Sequence, residues 1–297
     1  MSLFLSFSYS QTINVSAGTL QRIEHFQSKY IESKNIDVWL PQNYSNHQKY
    51  AVLYMHDGQA LYDATTTWNK QAWEVDEVAS KLITENKTQQ FIVVGIYNNP
   101  IQRHAEYFPQ KPYESLTPYQ RDTISQQLQK SGRAKEEFKP FSDNYLKFIV
   151  TELKPYIDQN FSTKNDTAHT FIAGSSMGGL ISMYAICEYP KVFGGAACLS
   201  THWPGTFTTK NNPIPDAFIK YLKTHLPSPT NHKIYFDYGD QTLDALYQPF
   251  QEKVDSVMKA KGYTAKNWKT IFFKGKDHSE NSWKERLNIP LEFLLKK

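Results

Sequence analysis

A chain of 297 residues, 40% of them apolar and with a formal charge of +4, is long enough to bury a sizeable core, as one large α/β domain or as two small ones. Lysines and arginines are interspersed with acids. No like-charged run suits a nucleic-acid stripe or an anionic-membrane patch, so neither partner is expected.

The chain opens on MSLFLSFSYSQ, a short apolar run with no basic residue before it. It reads either as the tail of a signal peptide or as a frayed terminus. A periplasmic or secreted location is expected, with a cytoplasmic one as the alternative. Residues 1–20 are taken as an extension and 21–297 as a single domain. No stretch approaches the ~18 apolar residues of a membrane helix.

Strand-like and helix-like segments then alternate. Residues 34–41 and 50–57 read as strands, and 73–83 has helical spacing. The near-continuous apolar run 91–98 suits a strand buried on both faces. A helix is predicted over 145–157, with Pro155 near its end. A strand over 169–174 meets a helix over 179–187, and small residues fill a strand over 194–200. Strands over 233–239 and 269–275 flank a helix over 246–262, and a last helix runs over 282–296. Such alternation predicts crossover units and a mostly parallel sheet. Two long stretches interrupt it, about 98–140 and about 202–231, and read as functional loops or lids. Cys187 and Cys198 are too few for a disulfide framework and sit in apolar runs, as two buried thiols would, although one bond between them is chemically open.

At the junction of the 169–174 strand and its helix the chain reads Gly174-Ser175-Ser176-Met177-Gly178, a G-x-S-x-G pattern. A strand turning sharply into a helix thrusts one side chain from the apex and crowds the positions two before and two after it. Centred on Ser176, those positions are Gly174 and Gly178. Centred on Ser175, they are Ala173 and the bulky Met177. Ser176 is therefore the candidate nucleophile, and the Met177 N–H, at a helix N-terminus, a candidate oxyanion donor.

A serine hydroxyl needs a base, and the base an orienting acid. Behind such an elbow the chain order is serine, acid, histidine. His278, between the last strand and the last helix, meets that order. His225 falls in a lid stretch, and His232 at the wrong end of a strand. His202, just after the 194–200 strand, is placed to line the pocket. The acid should follow the 233–239 strand, where Asp240 and Asp244 both stand. Asp244 is preferred, while Asp240 stays open, because either also suits a turn or a helix cap. Gly58 and Gln59, in HDGQ after the 50–57 strand, are candidates for the second oxyanion donor. His56 reads as structural. Metal-binding spacings such as H-E-x-x-H or C-x-x-C are absent from the sequence, and no cofactor is expected.

Together, strand–HDGQ–helix, FIVVGIYNN, AGSSMGG, YFDYGDQTLD and GKDHSENSW resemble the putative esterase family of α/β-hydrolases, from about residue 35 to the C-terminus. That family includes enterochelin-type siderophore esterases, feruloyl and acetyl-xylan esterases, S-formylglutathione hydrolase and mycolyltransferases. The resemblance implies an α/β-hydrolase fold, a mostly parallel central sheet flanked by helices with lid-like insertions. It also implies Ser176 as nucleophile, His278 as base and an acid in the loop after Gly239. Many relatives carry the acid about three residues past that glycine, where this chain has Thr242. NNPIQRHAEYFP resembles a pocket-edge segment, placing Arg103 and Glu106 at the rim, with an ion pair between them as the alternative. Trp203 follows a strand end, where it would stack on a sugar or aromatic acyl group or simply pack. The expected reaction is hydrolysis of a small-molecule or carbohydrate ester through an acyl-enzyme. An acyltransferase, or a non-catalytic carbohydrate-binding protein of the same fold, is the rival reading.

Overall fold

The structure, a computed structural model, describes residues 13–297. The apolar run 1–11 lies outside the described residues. The latter part of the expected extension is built into the domain. Asn14 N–H donates to Asp63 Oδ2 (3.1 Å), Ser16 N–H donates to Asp76 Oδ2 (2.6 Å), and residues 19 and 20 already belong to the first strand.

Among the described residues eight strands form one sheet: β1 (Thr19–Phe26), β2 (Lys34–Leu40), β3 (Ala51–His56), β4 (Phe91–Ile96), β5 (Thr170–Ser175), β6 (Gly195–Leu199), β7 (Lys233–Tyr238) and β8 (Trp268–Phe272). Their order is β1-β2-β4-β3-β5-β6-β7-β8, antiparallel at β1–β2 and β2–β4 and parallel from β4 onward. The central strands are apolar because both faces are covered. In β3, Val52 and Tyr54 enter one core, while Ala51, Leu53 and Met55 enter the other. β4 divides likewise, with Ile92, Val94 and Ile96 against Phe91 and Val93.

The helices are α1 (Val75–Thr84), α2 (Arg103–Tyr107), α3 (Gln110–Glu114), α4 (Pro118–Lys130), α5 (Ser142–Phe148), α6 (Lys154–Asn160), α7 (Met177–Glu188), α8 (Ile214–His225), α9 (Gln248–Ala260), α10 (Glu280–Lys284) and α11 (Asn288–Leu295). α7 is apolar on every side because residues 177–187 are all buried, so it is a central helix rather than an amphipathic one. Among the described residues no helix is long and apolar enough to cross a membrane.

Two predicted helices differ in detail, both at prolines. The helix expected over 145–157 is a longer run in which the π-helical turn Ile149–Leu153 separates α5 from α6. Pro155 has no N–H to give the turn before it, and the wider turn absorbs that loss. The helix expected over 282–296 is two, α10 and α11. Pro290, with no N–H and a ring that crowds the preceding turn, fits only in the opening turn of a new helix. The two long stretches hold short helices. α2, α3 and α4 occupy the first, and α8 the second. The stretches pack on each other through Phe108, which meets Phe138 at 5.3 Å and Phe218 at 5.6 Å between ring centres.

The sheet reverses its winding at β3, which lies between β4 and β5. Ligand crevices in such sheets open beyond the carboxyl ends of the strands at that reversal. Asp57, Ser176, Ser200 and Gly239 each follow directly on β3, β5, β6 or β7, at those ends.

Candidate active site

Ser176 sits between β5 and α7 with φ 58° and ψ −121°, a strained conformation for a residue with a side chain. Its N–H donates to Leu199 O (2.9 Å), pinning the turn to β6. A Cβ on Gly174 would lie 2.8 Å from the Gly178 carbonyl carbon, closer than any side chain tolerates, so the turn closes only over glycine. Met177 opens α7, so its N–H has no intrahelical acceptor and faces outward at the positive end of the helix.

Across the crevice, loops 239–244 and 274–278 are strapped together. Asp240 and Gln241 N–H donate to Lys276 O (3.1 Å each), and His278 N–H donates to Thr242 Oγ1 (3.0 Å). A Cβ on Gly239 would stand 2.0 Å from Lys276 O, so the straps require glycine there. The turn Thr242–Leu246 carries Asp244 inward to full burial, with its Oδ1 2.6 Å from His278 Nδ1. A carboxylate only accepts, so the proton stays on Nδ1, which donates to Asp244, and Nε2 is left free to take another. Asp240 stays at the surface, where its Oδ1 accepts Gly275 N–H (2.7 Å) and holds the loop. Of the two candidate acids, Asp244 is the one that meets His278.

Asp244 Oδ2 accepts two further bonds, from Ser200 Oγ (2.6 Å) and Gly239 N–H (2.7 Å). Ser200 Oγ in turn accepts from Trp283 Nε1 and Arg286 Nη2, both at 2.9 Å. Arg286 forks onto Asp237 at 3.0 and 3.2 Å, and the His278 ring stands edge-on to Trp283 at 5.0 Å. Sequence reasoning missed this buried network. The one signal for it in the sequence was an aspartate, Asp237, inside an apolar strand.

Tyr247, also missed, stands beside both reacting groups. Its ring is edge-on to His278 (5.8 Å), and its hydroxyl interacts with that of Ser176. Burial holds the phenol well above its ordinary pKa, so it keeps its proton. His202 Nδ1 lies 2.9 Å from the same hydroxyl, and His202 N–H donates to Ser176 O (3.2 Å). Burial, reinforced by neighbouring cationic side chains, keeps His202 neutral, well below the usual histidine value.

On the β3 side, Asp57 has a left-handed backbone (φ 59°), and Gly58 follows with no room for a Cβ, which would lie 2.7 Å from Gly95 C. Gly58 and Gln59 begin a single 3-10 turn whose first N–H groups have no acceptor within it. Gln59 Oε1 accepts Asn98 N–H (3.2 Å). His56 is buried, with Nδ1 2.8 Å from Tyr145 OH, and burial depresses its pKa to about 3, which suits the structural role.

Two expected rim contacts differ. Arg103 does lie at the edge of the crevice, but it grips Asp57 through Nε and Nη2 at 2.8 and 2.7 Å. Burial would raise the Asp57 carboxyl. Arg103, with Asn98 Nδ2 at 2.6 Å, outweighs it and holds Asp57 below the usual carboxylate range. Glu106 is not at the rim. It is fully buried, and Lys34 Nζ donates to its Oε2 (2.8 Å). Trp203 is buried too, and its Nε1 donates to Gln251 Oε1 (3.0 Å), so it packs inside rather than stacking on a ligand. Cys187 and Cys198 are buried free thiols. Among the described residues, no three His, Cys, Asp or Glu side chains converge to hold a metal ion.

Known proteins show the same arrangement of chain. A ferulic acid esterase superposes with a TM-score of 0.66 at 18% identity, covering 93% of this chain and 98% of its own. The enterobactin esterase FES from Shigella flexneri superposes with a TM-score of 0.67 at 14% identity, covering 95% of this chain and 60% of its own. In sequence, uncharacterized protein YbbA of Bacillus subtilis (strain 168) is 22% identical over 270 residues, 88% of this chain and 92% of that one. The family model described as "Putative esterase" matches residues 28–293, most of the chain, and the chain belongs to that esterase family.

Proposed function

We propose that the protein is a serine carboxylic-ester hydrolase that works through an acyl-enzyme, with Ser176 as nucleophile, His278 as base and Asp244 as the orienting acid. The observation that carries this reading is the buried 2.6 Å contact between Asp244 Oδ1 and His278 Nδ1, opposite a serine held in a strained turn. Ser176 Oγ attacks the ester carbonyl carbon while His278 Nε2 takes its proton. The charge that develops on the carbonyl oxygen falls to the N–H groups of Met177 and of Gly58 or Gln59. Collapse breaks the ester C–O bond, and His278 returns the proton to the departing alcohol. Water then repeats the sequence on the acyl-serine and frees the acid. Arg103 remains a substrate-side group at the crevice edge, while His202 acts from beneath through Tyr247.

The substrates proposed are acyl-sugar, feruloyl-type or siderophore-type esters. The structural neighbours include a ferulic acid esterase and an enterobactin esterase, which supports that range. A fluorophosphonate probe tests the reading. Labelling of the wild type that survives Ser175→Ala and disappears in Ser176→Ala supports it. An unlabelled wild type would leave a protein of this family without the proposed chemistry.

A further inference from the structure

The two insertions meet at one point that the proposed reaction leaves unused. His104 Nε2, on α2, lies 2.9 Å from Gly205 O, joining the first insertion to the loop after β6. Two residues on, Phe207 is 49% exposed, so its ring is open to a ligand. Its inner edge packs on His202, at 5.8 Å between ring centres, and His202 reaches Ser176 through Tyr247. The Arg133 guanidinium lies over the same ring at 5.3 Å.

Arg133 differs from the other arginine of this wall. Asp57 neutralises Arg103 through two bonds. Among the described residues no carboxylate pairs with Arg133, and nearby Glu137 is held by Lys139 (2.9 Å). Burial and the charge of Arg103 both push the Arg133 pKa down, as expected where positive potential is left uncompensated. A guanidinium with free donors, braced on an aromatic ring that packs on His202, is built to grip a carboxylate on a planar or extended ligand.

We propose that the site takes esters that carry a carboxylate a few bonds from the scissile carbonyl, and that Arg133, braced on Phe207, receives it. This rests on the proposed hydrolase reading and narrows its substrate class. An exposed charge-assisted pair favours the anionic substrate by about 10-fold in kcat/KM, the low end for such bonds because water screens it.

The test compares esters matched in length: mono-4-nitrophenyl succinate against 4-nitrophenyl butyrate, and mono-4-nitrophenyl glutarate against 4-nitrophenyl valerate. The reading is the anionic-to-neutral ratio of kcat/KM within each variant. Wild type is expected to give a ratio near 10 in at least one pair, falling as salt rises. Arg133→Gln is expected to bring it to about one. Lys266→Gln makes the same charge change in the cleft beyond the opposite strand ends, with His169 and His232, and should preserve the ratio. A wild-type ratio of one or less in both pairs, with the neutral esters hydrolysed, overturns this inference and leaves the hydrolase reading standing. A preference that survives Arg133→Gln overturns the assignment to Arg133. Hydrolysis of none of the four esters overturns the hydrolase reading and this inference with it.

Discussion

Asp244→Asn replaces one oxygen by an amide of nearly the same shape, and the structure fixes which way that amide must turn. Three donors converge on the native carboxylate: His278 on Oδ1, and Ser200 and Gly239 on Oδ2. The Gly239 N–H cannot reverse. Ser200 Oγ already accepts from Trp283 and Arg286, so both its lone pairs are used and its own proton must go to residue 244. The asparagine oxygen therefore stays on the Ser200 side, and its NH2 faces His278 Nδ1. The imidazole is forced into the other tautomer, with Nε2 protonated and unable to take the Ser176 proton. Loss of the base by this route costs on the order of 10^4-fold in kcat, or about 5.5 kcal/mol of transition-state stabilisation. Asp240→Asn is the matched control. Its remaining oxygen still accepts Gly275 N–H, and its activity should stay within about twofold of wild type. Steady-state hydrolysis of a 4-nitrophenyl ester, with far-UV circular dichroism to confirm folding, reads both. An Asp244→Asn enzyme keeping a tenth or more of wild-type kcat, or a dead Asp240→Asn enzyme, would refute the reasoning.

Ser200→Ala strands the Trp283 indole N–H and one Arg286 N–H in a fully buried site and should lower stability by about 2–4 kcal/mol in urea denaturation; a loss under about 1 kcal/mol would mean that water replaces the hydroxyl. Gly174→Ala brings a Cβ within 2.8 Å of backbone that cannot yield, so the variant should lose at least about 2 kcal/mol or fail to accumulate folded, and a wild-type midpoint would contradict the tight turn. His56 and His104 titrate at about 3 in the folded protein and His202 well below its usual value, all because burial disfavours the cation. The unfolded chain takes up these three protons near pH ~6.5 and the native state refuses them, so their contribution is complete above ~6.5 and is lost as pH falls toward the folded values. The slope they supply is about 1.4 kcal/mol per pH unit each, and urea midpoints measured from about pH 7.5 down to about pH 5 should fall steadily, whereas a flat profile would contradict it.

Much of the architecture is legible locally. The central strands announce themselves because burial on both faces demands unbroken apolar runs, and the elbow serine is separable from its neighbour because crowding at the turn admits only glycine at 174. β1 was missed for the complementary reason. It is an edge strand, TLQRIEHF, with no residue fully buried, so no apolar pattern marks it. The choice between Asp240 and Asp244 depended on whether the loop continues outward or curls back. Thr242, in the left-handed region at φ 53°, turns it back, and a threonine gives no sequence signal for that conformation. The Ser200–Arg286 contact joins residues 86 positions apart, beyond the reach of any periodicity. Glu106 was misplaced, and Trp203 left open between stacking and packing, because residue type alone does not say which way a short helix or loop faces. Each found a buried partner, Lys34 and Gln251, that only the tertiary packing supplies.

The central claim is that Ser176 becomes covalently acylated. Rapid acid quench of the enzyme with excess 4-nitrophenyl acetate, followed by peptide mass spectrometry, tests it directly. The account predicts one acetyl adduct, on the peptide containing Ser176, formed within the burst of nitrophenol release and absent from Ser176→Ala. Turnover with no adduct on that peptide, or an adduct that persists in Ser176→Ala, would contradict it.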